Sequence, residues 1–469
     1  MAKASHLAAT RSSSVMADRR RPRSASNPKL RNAPLVRLQI NALASGGCGL
    51  ARAEIDGKSR SILVPMTAPG DEVLAELSSE PGAPRARVVR VLTASRDRVV
   101  PPCPYVEQCG GCDLMHLSVD AQRRNREALV LQRLEHIPGL DIEATRPSDA
   151  PCVVQIHHAA PTERYRSRLR LGAVGKRGRV IVGFRAPRSH DLIEVDTCLV
   201  ATSTIDEARK QMASWLDGST GCGDVTLQPG TGGLPTVHLQ WKGELAPGVF
   251  SGAEQSVAAG AWAGAEIWLD GATQPAVIGD PEGVTRAFDG SLLRTAPGGF
   301  AQAHEAISAL LVARVAQSVP EGASTLELFC GAGNMTIALA QRTERLEAVE
   351  GDERALAAAR KNLAARGLRA KLIRADAADL KIASHVRVVV LDPPRVGAPD
   401  ACRRIAASRA RRVVMVSCDP ATLARDIGLL QGDGGRRWRA VSIDLFEMFP
   451  HTSHIETLVV LDRTSELGT

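Results

Sequence analysis

The stretch from Phe300 to the C-terminus constrains the fold more than any other part of this 469-residue chain, because short apolar runs alternate there with helical patterns. The spacing of apolar residues predicts a helix over Glu305–Val319, a strand over Ser324–Phe329, a helix over Asn334–Gln341, a strand over Leu346–Val349 and a helix over Glu353–Arg366. Further apolar runs at Val386–Leu391, Val413–Val416 and Thr457–Leu461 read as buried strands. Strands that are apolar on both faces and separated by helices predict a mostly parallel sheet covered on both sides, a doubly wound α/β domain.

In such a domain ligands bind at the carboxyl ends of the strands, and the residues there carry chemistry. The first strand runs into Phe329-Cys330-Gly331-Ala332-Gly333-Asn334, where Gly331 and Gly333 let the backbone approach a nucleotide-like cofactor at a helix N-terminus. Glu350 ends the second strand about 20 residues on, where an acid accepts hydrogen bonds from ribose hydroxyls. Asp376 follows the third strand and could meet an adenine edge. Asp392-Pro393-Pro394-Arg395 ends the next strand, and the absence of an aromatic residue at Arg395 argues against methylation of an exocyclic amine.

Cys418, in Val416-Ser417-Cys418-Asp419-Pro420, follows another strand and discriminates between reactions. Uracil C5 is barely nucleophilic, but thiolate addition to C6 makes C5 an enolate carbon able to attack a sulfonium methyl. The C5 proton must then leave, which requires a positioned base. Glu456, in Phe449-Pro450-His451-Thr452-Ser453-His454-Ile455-Glu456, fits that role, with His451 and His454 as competitors. Cys222, Cys330 and Cys402 read as small buried hydrophobes.

Upstream, Cys103, Cys109 and Cys112 offer three soft ligands within ten residues, with Cys198 as the best fourth and Cys152 competing. Four thiolates suit Zn²⁺ or a [4Fe–4S] cluster, and spacing alone leaves both open. Ten cysteines are too few for a disulfide scaffold, and no apolar stretch is long enough to span a bilayer, so a cytoplasmic protein without membrane association is expected. The net charge is +8, of which residues 1–32 supply seven units, with eight Lys/Arg against Asp18 alone. That Ser- and Arg-rich tail is expected to be disordered and to add phosphate affinity. A dispensable leader, an over-extended start before Met16, or a transit peptide shares its composition. From Pro34 to Thr93, short β-like runs between Gly and Pro turns predict a small barrel of the kind that binds oligonucleotides. A polar helix is predicted over Ser118–His136 with Leu129, Leu131 and Leu134 on its apolar side. Cys152–Ala296 reads as a mixed middle domain in which Arg166, Arg168 and Arg170 share one strand face.

These motifs resemble those of the RNA uracil-C5 methyltransferase family over nearly the whole chain after residue 33. The segments Ser417-Cys418-Asp419-Pro420 and Phe449-Pro450-x-Thr452-x-His454-x-Glu456 are the most specific. The resemblance implies four segments: a tail over 1–32; an OB-like TRAM barrel over 33–95; the cysteine segment and an α/β middle domain over 96–295; and a Rossmann-like class I methyltransferase domain over 296–465. It implies Cys418 as nucleophile and Glu456 as base. It also implies S-adenosylmethionine contacts at Gln302, Phe329, Asn334, Glu350, Asp376 and Asp392, and a [4Fe–4S] cluster on Cys103, Cys109, Cys112 and Cys198. Barrel and cluster together resemble the 23S ribosomal RNA enzymes more than the transfer RNA enzyme, with Phe300 as a stacking platform for a flipped uridine. His304, Asp376 and Glu447 depart from the family pattern. The competing readings are an amine- or cytosine-directed methyltransferase and a noncatalytic RNA-binding or assembly factor. No protein partner is predicted.

Overall fold

The computed structural model describes residues 35–55, 57–78, 82–137, 152–176, 178–432 and 437–464. The basic tail read from the sequence lies outside them. The largest sheet among the described residues has eight strands, in spatial order Lys371–Arg374, Arg345–Glu350, Ser324–Leu328, Val388–Leu391, Arg412–Ser417, Glu456–Arg463, Trp438–Phe446 and Val153–His157. The first five run parallel, and Glu456–Arg463 runs antiparallel to both of its neighbours. Val388, Val389, Val390 and Leu391 are all buried, as a strand covered on both faces by helices requires. Strand order reverses between Ser324–Leu328 and Val388–Leu391, which opens a crevice at their carboxyl ends.

Val153–His157, read from the sequence as part of the middle segment, is instead the edge strand of this sheet, paired in parallel with Ser442–Phe446. The helix Val119–Glu135 also packs on the catalytic core, through Val130 and Leu134. Its buried face differs from the expected leucine stripe, since Gln122 and Arg126 are buried while Leu129 and Leu131 are only partly covered. Both polar side chains find partners in the C-terminal domain, and this offsets the cost of burying them.

The barrel is built from two three-stranded sheets, Leu35–Gln39, Glu72–Leu77 and Ala86–Thr93 in one, Ala42–Leu43, Gly49–Ile55 and Lys58–Val64 in the other. They close on a core that includes Leu38, Ile40, Ile62, Val64 and Val73. The middle domain is a seven-stranded sheet with its own core and the helices Ser203–Trp215 and Gly248–Ala258. Arg166, Arg168 and Arg170 alternate with the buried Ser167 and Leu169, but only Arg170 lies in the strand Leu169–Lys176. They do not form a free basic stripe. Arg168 donates to the carbonyls of Gly298 (2.9 Å) and Gly299 (3.0 Å), and Arg170 pairs with Asp224 at 3.1 Å.

Cys330 and Cys402 are buried, but Cys222 is exposed, contrary to the expectation from sequence. It stands near the start of the strand Thr220–Pro229, before the buried stretch Val225–Gln228. No helix among the described residues is long and apolar enough to cross a membrane.

Candidate active site

Two cavities meet at Phe329, at the point where the strand order reverses. One is lined by Gln302, Glu327, Gly331, Asn334 and Asp392, the other by Glu350, Arg374 and Asp376. The turn between them is held open by backbone conformation. Phe329 has φ 62°, and Gly331 and Gly333 have φ 55° and 86°. A side chain at Gly333 would press on Ala359 at 3.1 Å, whereas one at Gly331 would meet no protein atom, which leaves that space to a ligand. The amides of Gly331 and Asp352 donate to the two oxygens of Glu350 at 2.9 Å each. The carboxylate is thereby fixed, with lone pairs left for a ribose. Asp376 is exposed and accepts the Ala378 amide at 2.8 Å.

Four residues lining the first cavity keep buried oxygens without a hydrogen-bond partner: Thr295 Oγ1, Gln302 Oε1, Glu327 Oε2 and Asn334 Oδ1. Each such orphan costs about 1–3 kcal/mol, so four around one cavity mark it as shaped for a polar ligand. Glu327 was not singled out by the sequence reading. Its signal was an acid inside the buried run Thr325–Leu328, two residues before the glycine turn. Burial pushes its carboxyl up to about 8, with the charges of Asp392 and Glu350 adding to the effect. Such a group is poised to pair with a ligand ammonium. The donor set, with its ribose acceptor and deep carboxylate, fits S-adenosylmethionine.

Cys418 and Glu456 come together because of strand register. Ser417 pairs with Thr457 across adjacent strands, so the residue after one and the residue before the other stand side by side at the sheet's carboxyl edge. Asp419 caps the helix Pro420–Gln431 by accepting from the amides of Ala421 and Thr422 at 2.9 Å, and Pro420 starts it. The sharp strand-to-helix turn holds Cys418 half-buried. Burial pushes its thiol up to about 12, with Glu456 and Asp392 adding and Arg395 opposing. Glu456 is buried and its carboxyl is raised to about 8, chiefly by burial and then by Asp392, again with Arg395 opposing. Burial raises Asp392 to about 7. Arg395 is therefore the cation shared by nucleophile and acid, and its guanidinium reaches the His454 ring at 3.0 Å. Its loop is clamped by Asp426, which accepts the Ala398 amide at 2.7 Å, and by Arg425, which donates to the Val396 carbonyl at 2.8 Å. Phe300 is 69% exposed at the mouth of the first cavity.

The segment before Glu456 is fastened by residues far upstream in sequence. Arg126, 1% exposed, pairs with Glu447 and donates to the carbonyls of Phe449 and Thr452. Arg123 and the Ala159 amide hold the other Glu447 oxygen at 3.0 and 2.9 Å. Gln122 accepts the His451 amide at 3.1 Å, and the Tyr165 hydroxyl donates to the Pro450 carbonyl at 3.0 Å. Two departures from the family pattern thus lie in one network, because His304 stacks on Tyr165 with ring centroids 5.2 Å apart.

Cys103, Cys112 and Cys198 pack around one small core with Val106, Met115 and Tyr165. Cys109 lies close enough to Cys103 and Cys198 for their charges to raise its thiol, after burial. Burial raises Cys112, and the other three sulfurs add to it. Cys152 is buried instead in the catalytic core, away from this group.

The profile of a family described as tRNA (Uracil-5-)-methyltransferase matches residues 291–464. Curated relatives extend the likeness along the chain. One from Halomonas elongata, named 23S rRNA (uracil(1939)-C(5))-methyltransferase RlmD, is 34% identical, with 91% of this chain and 89% of that protein covered. A relative of the same name from Pseudomonas putida is 33% identical over 91% of this chain and 93% of its own length. Among solved structures, the Pyrococcus abyssi tRNA (uracil-54, C5)-methyltransferase with S-adenosyl-L-homocysteine superposes with a TM-score of 0.68 at 23% identity, over 91% of this chain and all of that one.

Proposed function

The chain belongs to the RNA uracil-C5 methyltransferase family, and we propose that it methylates C5 of a uridine in 23S ribosomal RNA, through a covalent adduct to Cys418 resolved by Glu456. The observation that carries the reading is the juxtaposition of Cys418 and Glu456 at neighbouring strand ends, beside a cavity suited to the methyl donor. A noncatalytic RNA-binding factor needs neither group.

S-adenosylmethionine, when bound, supplies an electrophilic sulfonium methyl. Cys418 Sγ adds to C6 of the flipped uracil, and the C5=C6 electron pair moves onto the C4 carbonyl as an enolate. C5 of that enolate takes the methyl, whose former bonding pair stays on the donor sulfur. Glu456 then removes the C5 proton. The freed electrons restore the C5=C6 bond, and the S–C6 pair returns to Cys418. The net products are 5-methyluridine, the demethylated donor and one proton, so the balance needs no redox partner. Arg395 stabilises both the thiolate and the Glu456 carboxylate, and Phe300 offers a face on which an extruded base stacks.

The four cysteine thiols fit a [4Fe–4S] cluster. Cys103, Cys112 and Cys198 pack into one half-buried core, and neighbouring sulfurs raise the Cys109 and Cys112 thiols, a repulsion that bound metal would relieve. With the barrel and the middle domain, the cysteine loop forms the RNA-holding part of a cytoplasmic enzyme. The relatives' name makes the uridine equivalent to their position 1939 the first to examine.

The test is anaerobic purification, incubation with labelled S-adenosylmethionine and unmodified 23S RNA or tRNA, and mass spectrometry of the nucleosides. 5-Methyluridine in 23S RNA is expected. Label in tRNA alone would overturn the substrate, and label in neither would overturn the enzyme reading.

A further inference from the structure

We propose that Asp113, which nothing in the chemistry of methyl transfer requires, is a positioning residue for proton removal. It fastens the cysteine loop to the segment that leads into Glu456. The proposal rests on the reading of Glu456 as the base.

Four hydrogen bonds carry it. The amides of Asp113 and Leu114 both donate to the His451 carbonyl, at 3.2 and 3.0 Å. In return the Asp113 carboxylate accepts the Ser453 amide through Oδ1 and the Ser453 hydroxyl through Oδ2, each at 2.7 Å. A carboxylate that takes two donors from one residue fixes that residue's orientation as well as its distance. Asp113 is itself confined from behind. The barrel turn passes so close that a side chain at Gly47 would stand 2.8 Å from the Asp113 Cγ, and Gly47 also has φ 73°. Barrel, cysteine loop and base segment therefore converge on one carboxylate.

The held segment is not in a relaxed conformation. His451, one of the two anchored positions, has φ 67°, a left-handed backbone that is strained for a residue with a Cβ. Its carbonyl and amide are both bound by groups outside the segment. Removing the Asp113 carboxylate frees Ser453, which lies only three residues before Glu456, and leaves the strained turn at His451 held on one side alone. A proton transfer tolerates little displacement, and a misplacement of about 1 Å can cost about 100-fold in rate. Addition of Cys418 to C6 depends on a different strand end and is spared. Because Asp113 directly follows Cys112, the order of the cysteine loop reaches the base through this residue.

The experiment compares Asp113→Ala, Ser453→Ala and Glu456→Gln with the wild type, all as full-length, iron-loaded protein. The readouts are iron content, KM for an RNA stem-loop, the covalent adduct on denaturing gels, and amide exchange over residues 449–455. Asp113→Ala should keep its iron and its KM, and form the adduct at close to the wild-type rate. It should release the adduct about 10- to 100-fold more slowly, with faster amide exchange in the segment. Ser453→Ala, which removes one bond of the four, should slow release by about fivefold. Wild-type release in Asp113→Ala with its iron intact, or a loss confined to RNA affinity or adduct formation, overturns the proposal. If Asp113→Ala fails to load iron, Ser453→Ala decides, and wild-type release there overturns it. Glu456→Gln separates the two levels. If it accumulates adduct, the base assignment stands and the Asp113 result is judged alone, whereas normal release from it removes the base assignment and this proposal together.

Discussion

Raising the pH from 7 to 9 should accelerate adduct formation and adduct release by different factors, because the two steps draw on groups that titrate far apart. With the thiol near 12, the reactive thiolate of Cys418 grows about 100-fold over this interval and is still rising at its end. Glu456 near 8 behaves otherwise. Its carboxylate grows from about one tenth to about nine tenths, a gain of roughly tenfold that saturates. The sign follows from burial, which favours the neutral form of both groups, so each gains activity as protons leave. A bound sulfonium would lower both values and shift both profiles to lower pH without merging them. The assay is quench-flow with a uridine-containing stem-loop and saturating S-adenosylmethionine, resolving protein-bound from free methylated RNA. Adduct formation should climb with unit slope through pH 9, while release bends to a plateau near or below pH 8. In Glu456→Gln the bend should vanish and release should fall by about 10²–10⁴. A release profile that climbs in parallel with formation, or a bend that survives Glu456→Gln, would refute the assignment of that titration to Glu456.

Arg395→Met should slow adduct formation by about tenfold, the equivalent of one pKa unit, and move the release bend above pH 8, as single-turnover profiles would record. Arg126→Met should destabilise the protein by about 3 kcal/mol, the low end for breaking a buried ion pair, because Glu447 keeps Arg123 and the Ala159 amide. Urea unfolding checks this, and adding Glu447→Gln should recover part of the loss. Glu327→Gln should weaken S-adenosylmethionine binding in calorimetry. Because the native pKa of Glu327, about 8, lies above its unfolded value, its contribution to stability is present at low pH and is lost as pH rises through about 8. The ligand-free Gln variant should accordingly melt higher than wild type at pH 9 and about equally at pH 5.

Much of the site was legible because chemistry confines it to strand ends. Gly331, Glu350, Asp392 and Cys418 each follow an apolar run, and a parallel sheet necessarily brings such positions to one edge. Glu456 was legible by motif alone, since nothing local says that its strand runs antiparallel and so begins where the others end. Glu327 was missed because an acid inside an apolar run reads as an interruption rather than as a ligand contact. The strand Gly49–Ile55 carries little signal in sequence, because Gly, Ala, Arg and Glu dominate it and Ile55 alone is β-branched. The anchors of the base segment, Asp113, Gln122, Arg126 and Tyr165, lie about 285–340 residues from their partners in sequence. Only tertiary packing reveals such contacts, and the same packing explains why the helix Val119–Glu135 buries an arginine where periodicity pointed to leucines.

The pairing of Val153–His157 with Trp438–Phe446 bears on how the protein is made. Its two partners are separated by about 290 residues, so this contact carries a high loop-closure cost and forms late. During synthesis the early strand leaves the ribosome with no sheet to join, while the middle domain can fold as a unit behind it. Once the late strand appears, its outer edge stays open to pairing with another chain until Val153–His157 docks. Cys418 and Glu456 are made only after this early strand and the middle domain. A chain that lacked the early strand would therefore complete both reactive groups beside a bare, aggregation-prone edge.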